Sequence, residues 1–239
     1  MIETVLNARN LMTALNHVRR NKGSAGVDGM AVDELYGHFS RNREAIAGVI
    51  REGQYCAQPI LGVEIPKDNG KRRLLGIPTV MDRMLQQAVG QAIAIKFETE
   101  FEDQSYGFRP NRNAQKGVRK ALQYINEGYA YIVDIDLQTF FDEVDHSILL
   151  QLLFRKVKCE PTLRLIRKWL KAPILIDGKL HKRRKGVPQG SPLSPLLSNI
   201  MLHELDKELN RQGLSLLLPF LRTTVWSFLI VNLIEFLIM

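Results

Sequence analysis

Between Tyr131 and Leu137 the chain alternates strictly. Tyr131, Val133, Ile135 and Leu137 fall on one face of an extended segment, and Ile132, Asp134 and Asp136 on the other. This period of two predicts a strand, and the rest of the chain reads mostly as helices of period 3.6 arranged around it. A short helix is expected over 10–18 and a longer one over 33–52. Asp82 is placed to cap an amphipathic helix that turns Leu85, Ala88, Val89, Ala92, Ile93 and Phe97 inward. Asn113 caps the next, whose inward stripe is Ala114, Val118, Ala121, Leu122 and Ile125. After the central strand, Asp145 opens a helix with Ile148, Leu149, Leu152 and Leu153 as its apolar face. Another spans 163–170 with Arg164, Arg167 and Lys168 on its polar side, and Ser194-Pro195 begins the last, striped by Leu196, Leu197, Ile200 and Leu205. Two hairpins complete the pattern. One lies within 58–79, with apolar runs 60–66 and 73–78 around a turn at 67–71; the other spans 174–180 around Asp177-Gly178.

Charge changes this picture from a scaffold to a surface. The 239 residues carry a formal net charge of +8 and 45% hydrophobic residues, enough for a core and suited to a polyanionic partner. The cations cluster: Arg19, Arg20 and Lys22; Lys67, Lys71, Arg72 and Arg73; Arg109, Arg112, Lys116, Arg119 and Lys120; Lys182, Arg183, Arg184 and Lys185. Such clusters bind phosphate backbones in a salt-dependent way. The two cysteines, Cys56 and Cys159, lack metal-ligand spacing, and the first residues lack a secretory pattern, so a cytoplasmic, thiol-reduced protein is expected.

Three stretches carry candidate chemistry. On the central strand, carboxylates on a buried face must meet water or a hard cation, so Asp136 is either a Mg²⁺ ligand at a strand end or part of a solvated edge. The glycine-marked loop 22–29 either cradles phosphate or connects two helices. The basic tip of the first hairpin either grips a triphosphate or keeps the edge from aggregating. Near the C-terminal side, Gly186-Val187-Pro188-Gln189-Gly190-Ser191-Pro192 sets a tight path on which Gly186 and Gly190 let a backbone or ligand come close.

Taken in order, Gly-Val-Asp-Gly, Ile-Pro-Lys followed by Gly-Lys-Arg-Arg-Leu-Leu-Gly-Ile-Pro-Thr, Ser-Tyr-Gly-Phe-Arg-Pro, Asp-Leu-Gln-Thr-Phe-Phe-Asp with Asp145-His146, and Gly-Val-Pro-Gln-Gly-Ser-Pro-Leu-Ser-Pro-Leu-Leu-Ser-Asn-Ile resemble the reverse transcriptase of bacterial group II intron-encoded maturases, over about residues 22–209. The resemblance implies an α+β right-hand polymerase, incomplete here: a fingers-like region 1–125, a partial palm 126–213 with an antiparallel sheet packed on helices, and an aberrant apolar tail 214–239. It implies RNA-directed DNA polymerisation with two Mg²⁺ ions. Asp136 is then the catalytic metal ligand, with the Leu137 carbonyl a further one. Lys67, Arg73, Phe141, Gln189 and Gly190 hold the incoming nucleotide, Phe141 by excluding a ribose. Arg109, Arg112, Lys182, Arg183 and Arg184 contact nucleic acid. The implied partners are group II intron RNA, an RNA template with a DNA primer, and deoxynucleoside triphosphates.

The family draws its remaining metal carboxylates from a later Tyr-x-Asp-Asp hairpin, and this chain has none. From Lys207 onward its acids are Glu208 and Glu235, and after Gly213 only Arg222 and Glu235 are charged. The tail is expected to be an out-of-frame product of an interrupted gene. A membrane span is the rival, opposed by Pro219, Arg222, Asn232 and Glu235 within the apolar run. Loss of polymerase activity with retained RNA binding follows as an expectation.

Overall fold

The computed structural model describes residues 1–66, 70, 72–129, 131–137, 139–211, 215–217, 220–221 and 224–231, with backbone alone for 131–136 and beyond 211. Nine described α-helices occur in chain order: α1 (Ile2–Leu6), α2 (Ala8–Arg20), α3 (Leu35–Arg51), α4 (Val80–Glu98), α5 (Ala114–Asn126), α6 (Phe140–Glu143), α7 (His146–Val157), α8 (Glu160–Lys171) and α9 (Ser194–Arg211). The strands are β1 (Ile60–Pro66), β2 (Arg72–Ile77), β3 (Tyr131–Asp136), β4 (Ile174–Ile176), β5 (Lys179–His181), β6 (Ser215–Leu217), β7 (Phe220–Leu221) and β8 (Thr224–Val231). The mixed α+β composition agrees with the expected class.

The chain forms two compact units, Met1–Phe97 with Phe141–Ser198, and Glu98–Phe140 with Asn199–Met239. In the first, α3 packs on α2 and α8, and α7 packs on α8. Leu11 and Leu15 of α2, Leu35 and Ile50 of α3, Leu149 and Leu153 of α7, and Ile166 and Leu170 of α8 are fully buried. Removing one such side chain to Ala costs about 2–5 kcal/mol. The two expected hairpins form, and they join: the sheet order is β2-β1-β4-β5, with β1 parallel to β4 through Ile60↔Ile174 and Leu61↔Leu175. The Ile60 amide donates to the Pro173 carbonyl at 2.8 Å, which carries the junction past the end of β4. The β4–β5 turn places Asp177 and Gly178 at φ 48° and 74°, the left-handed pair that an Asp-Gly hairpin needs.

Helix α4 shows how the sequence pattern was incomplete. Its expected stripe is buried, but so are Asp82, Arg83 and Gln86, so its first turns are enclosed on every side. Thr79, not Asp82, is the cap: the Asp82 amide donates to Thr79 Oγ1 at 3.2 Å. The Asp82 carboxylate is thereby released for tertiary work and accepts from Tyr55 Oη at 2.8 Å, Trp169 Nε1 at 2.7 Å, the Gln58 amide at 3.1 Å and Thr79 Oγ1 at 3.0 Å. The glycine-marked loop serves packing here, since buried Arg83 donates from Nη2 to the Ser24 carbonyl at 2.6 Å.

In the second unit, β3 pairs antiparallel with β8 from Tyr131↔Val231 to Asp136↔Trp226, and β6 and β7 pair with β8. The described parts of the tail are therefore strands. Among the described residues no helix is long and apolar enough to cross a membrane. On α5 the packed face differs from the expected one. Gly117 and Tyr124 face inward, Tyr124 against Tyr106, Ala121 and Tyr129, while Val118, Leu122 and Ile125 are 54%, 54% and 45% exposed.

Candidate nucleotide and nucleic-acid site

The expected site residues divide between the two units, and each half has its own construction. In the first unit, the segment Gly186–Gly190 is stitched to its surroundings mainly through backbone atoms. Gly186 N donates to the Val144 carbonyl and Val187 N to the Phe141 carbonyl, both at 2.7 Å. Gly186 sits at φ 84°, and a Cβ there would lie 2.8 Å from the Asp142 carbonyl oxygen, so only glycine brings this strand of chain against α6. His146 Nε2 lies 2.8 Å from the Gly186 carbonyl. A carbonyl only accepts, so Nε2 carries the proton, and burial holds the ring's pKa below the usual histidine range despite that bond. Phe141, half-buried, is thus fixed through its own carbonyl.

The other end of the segment is tied to β2. The Gly76 amide donates to the Gln189 carbonyl at 2.8 Å, and Arg73 Nε donates to Gln189 Oε1. Gly190, at φ 118°, would press a Cβ to 2.5 Å from the Gly76 carbonyl oxygen. Behind it Ser194 Oγ donates to the Pro188 carbonyl at 2.7 Å, and buried Ser191 donates to Gln86 Oε1 at 2.8 Å. Arg73, Gln189 and Gly190 are therefore brought together, on a frame that leaves their backbone little freedom. Lys67 lies outside the described residues.

Of Arg73, Gln189 and Gly190 only Gln189 reaches a neighbouring cavity of about 420 Å³, which Lys182, Arg183, Arg184, Leu74, Gly76 and Asp142 also line. Lys185 at its rim pairs with Glu143. Arg183 is half-buried; burial lowers its guanidinium pKa, and the charge of Asp142 opposes that shift.

In the second unit, β3 places Asp136 in register with Trp226 and Asp134 with Phe228; Leu137, half-buried, follows at the strand end. No group of three or more His, Cys, Asp or Glu able to hold a metal occurs among the described residues. Arg109 corrects the expectation of an exposed nucleic-acid contact. Its side chain is 3% exposed, pairs with Glu98 at 2.9 Å, and donates from Nη1 to the carbonyls of Glu102 at 2.6 Å and Ser105 at 3.0 Å. It also lies 5.3 Å from the Phe101 ring centre. The Ser105–Arg109 loop is closed by this arginine, not offered to a ligand. Arg112 pairs with Asp103 at 2.8 Å and lies over Tyr106, but its partner is exposed to solvent. Sequence reasoning gave no individual role to Asp142 and His146, although both stand within the quoted motifs, and it expected Asp82 only as a helix cap.

The chain belongs to the reverse transcriptase (RNA-dependent DNA polymerase) family, whose model matches residues 65–221. It is 38% identical to the group II intron-encoded protein LtrA of Lactococcus lactis subsp. cremoris, over 81% of this chain and 32% of that protein. It is 36% identical to protein YkfC of Escherichia coli (strain K12), over 80% and 51% of the respective chains. The chain thus spans about a third to a half of the length of these relatives. In structure it is similar to a partial Cas6-RT-Cas1–Cas2 complex, with a TM-score of 0.61, 22% sequence identity, and coverage of 97% of this chain and 38% of that one; at that identity the likeness concerns the fold.

Proposed function

We propose that this chain is the fingers-like region and partial palm of a group II intron-type reverse transcriptase that holds RNA but, with the residues it has, does not extend a primer. The observation that carries this is the donor set around Asp136. Two-metal nucleotidyl transfer needs carboxylates to hold both ions. The strand paired with β3 offers Trp226, Ser227 and Phe228 opposite Asp136, Ile135 and Asp134, and the chain beyond Lys207 supplies only Glu208 and Glu235. These residues do not fit a pair of Mg²⁺ ions.

The binding half of the function is intact in chemistry. Arg73, Gln189 and Gly190 sit on one fixed frame, and Lys182, Arg183 and Arg184 form a cationic rim beside it. Intron RNA, or an RNA template with its DNA primer, is the partner such a surface suits, and the deoxynucleoside triphosphate is the ligand of the Arg73–Gln189 frame. A cytoplasmic location goes with that partner. Fluorescence anisotropy of a labelled RNA oligonucleotide tests the binding half. The expected result is an affinity that falls about tenfold or more between roughly 50 and 200 mM salt; affinity independent of salt, or none, contradicts it.

A further inference from the structure

The cavity between β2, β4 and the 182–189 segment has features that a general cationic surface does not need. Its cations outnumber its acids: Lys182, Arg183 and Arg184 face the single carboxylate of Asp142, while Lys185 is already paired with Glu143. Nη1 of Arg183 is enclosed without an acceptor, and neither Lys182 nor Arg184 has an ion pair among the described residues. A half-buried guanidinium short of acceptors is a costly group, and an anion entering beside it supplies both charge and acceptor. The opposite wall is apolar, made by Leu74, Ile174 and Pro188. Leu74 is 39% exposed, so that wall is open to a ligand instead of being sealed in the core.

A volume of about 420 Å³ suits one small organic unit and not a duplex. A cationic edge facing an apolar wall matches a phosphate joined to a flat base, and the base reaches the wall only when it is unpaired. We propose that this cavity seats one nucleotide of a single RNA strand, its phosphate on Arg183 and its base against Leu74, Ile174 and Pro188. The proposal rests on the RNA-holding function above and assigns it a specific seat, adjoining the Arg73–Gln189 contact through Gln189, which lines the cavity as well.

The test uses the full chain and a fluorescently labelled oligouridylate, with anisotropy titrations across a salt series. Arg183→Met keeps the apolar stem and removes the charge. It is expected to weaken binding about 5- to 10-fold and to reduce the slope of log affinity against log salt by about 0.7, the contribution of one phosphate of a single strand. Leu74→Glu, at a part-exposed position, is expected to weaken binding by a similar factor, with thermal midpoints of both variants matching the parent. Uridine monophosphate at millimolar concentration is expected to leave the RNA bound. Unchanged affinity and slope in Arg183→Met, while the parent chain binds RNA, overturn the seat and leave the wider function standing. Absence of RNA binding by the parent chain overturns both. Displacement by the free mononucleotide overturns the strand assignment in favour of a mononucleotide site.

Discussion

Two buried aspartates show how much depends on single side chains in this protein. Asp82 is 1% exposed and gathers donors from α8, from the segment before β1 and from its own cap. Burial raises its pKa, and the Trp169 and Tyr55 hydrogen bonds oppose the rise; Tyr55, buried against it, is pushed well above the usual phenol range and stays a donor. Asp82→Ala leaves an indole N–H, a phenol and the Gln58 amide without acceptors, and is expected to cost roughly 3 kcal/mol, read as a lower denaturation midpoint at unchanged slope. A loss under about 1 kcal/mol would mean that these donors find other partners.

Asp206 is the opposite case. It is 5% exposed, its Oδ1 has no hydrogen-bond partner, and its pKa is pushed up to about 7 by burial, then by the charge of Glu102, with Arg109 opposing. The folded state therefore binds more protons than the unfolded one between about pH 4 and 7, so the stability that Asp206 contributes is present below that window and lost as pH rises through it. Asp206→Asn is expected to flatten this dependence and to be the more stable form at pH 8, by roughly 2–4 kcal/mol. Parallel stability profiles for the two proteins from pH 5 to 8 contradict the assignment. Neither aspartate's role was legible in the sequence. Asp82 had the appearance of a cap because it opens an apolar helix, and Asp206 drew no expectation at all; what buries them comes from residues distant in the chain.

At the level of elements, periodicity located most helices and the hairpins and often missed their outer faces. On α7 the Asp145 cap forms as expected, with Oδ1 accepting from Ser147 N at 2.7 Å and Ile148 N at 2.9 Å, and Leu149, Leu152 and Leu153 are buried. Ile148 was grouped with them and is 49% exposed, because a stripe one residue too wide turns its edge to solvent. Ile148→Gln is accordingly expected to change stability by under about 0.5 kcal/mol, whereas Leu149→Ala costs about 2–4 kcal/mol. Thermal or urea unfolding of the pair measures the contrast; equal losses would mean that Ile148 is covered. The α5 stripe failed more completely, since Tyr124 and Gly117 set its packed face with Ala121 beside them, while Val118, Leu122 and Ile125 turn outward. The parallel β1–β4 pairing had no local signal, because it joins strands more than a hundred residues apart. By contrast, the Asp-Gly turn, the glycines at 186 and 190 and the β2 hairpin were legible, since each rests on local chemistry.

For the whole molecule, five motifs in one order made the family legible before any geometry, and the family model agrees over residues 65–221. The candidate site is only partly legible in the same way. The motifs indicate where Arg73, Gln189 and Gly190 lie along the chain, but not that Gln189 accepts from Arg73, nor that Arg109 is enclosed by its own loop. The central claim is that the chain retains the binding frame of a reverse transcriptase and lacks the carboxylates for transfer. Primer extension on an RNA template, with Mg²⁺ and deoxynucleoside triphosphates and with Asp136→Ala in parallel, tests it most directly. The account predicts no extended product from either protein under conditions where RNA binding is measured. Extension by the parent chain that Asp136→Ala abolishes would show that a further carboxylate completes the site, and would contradict it.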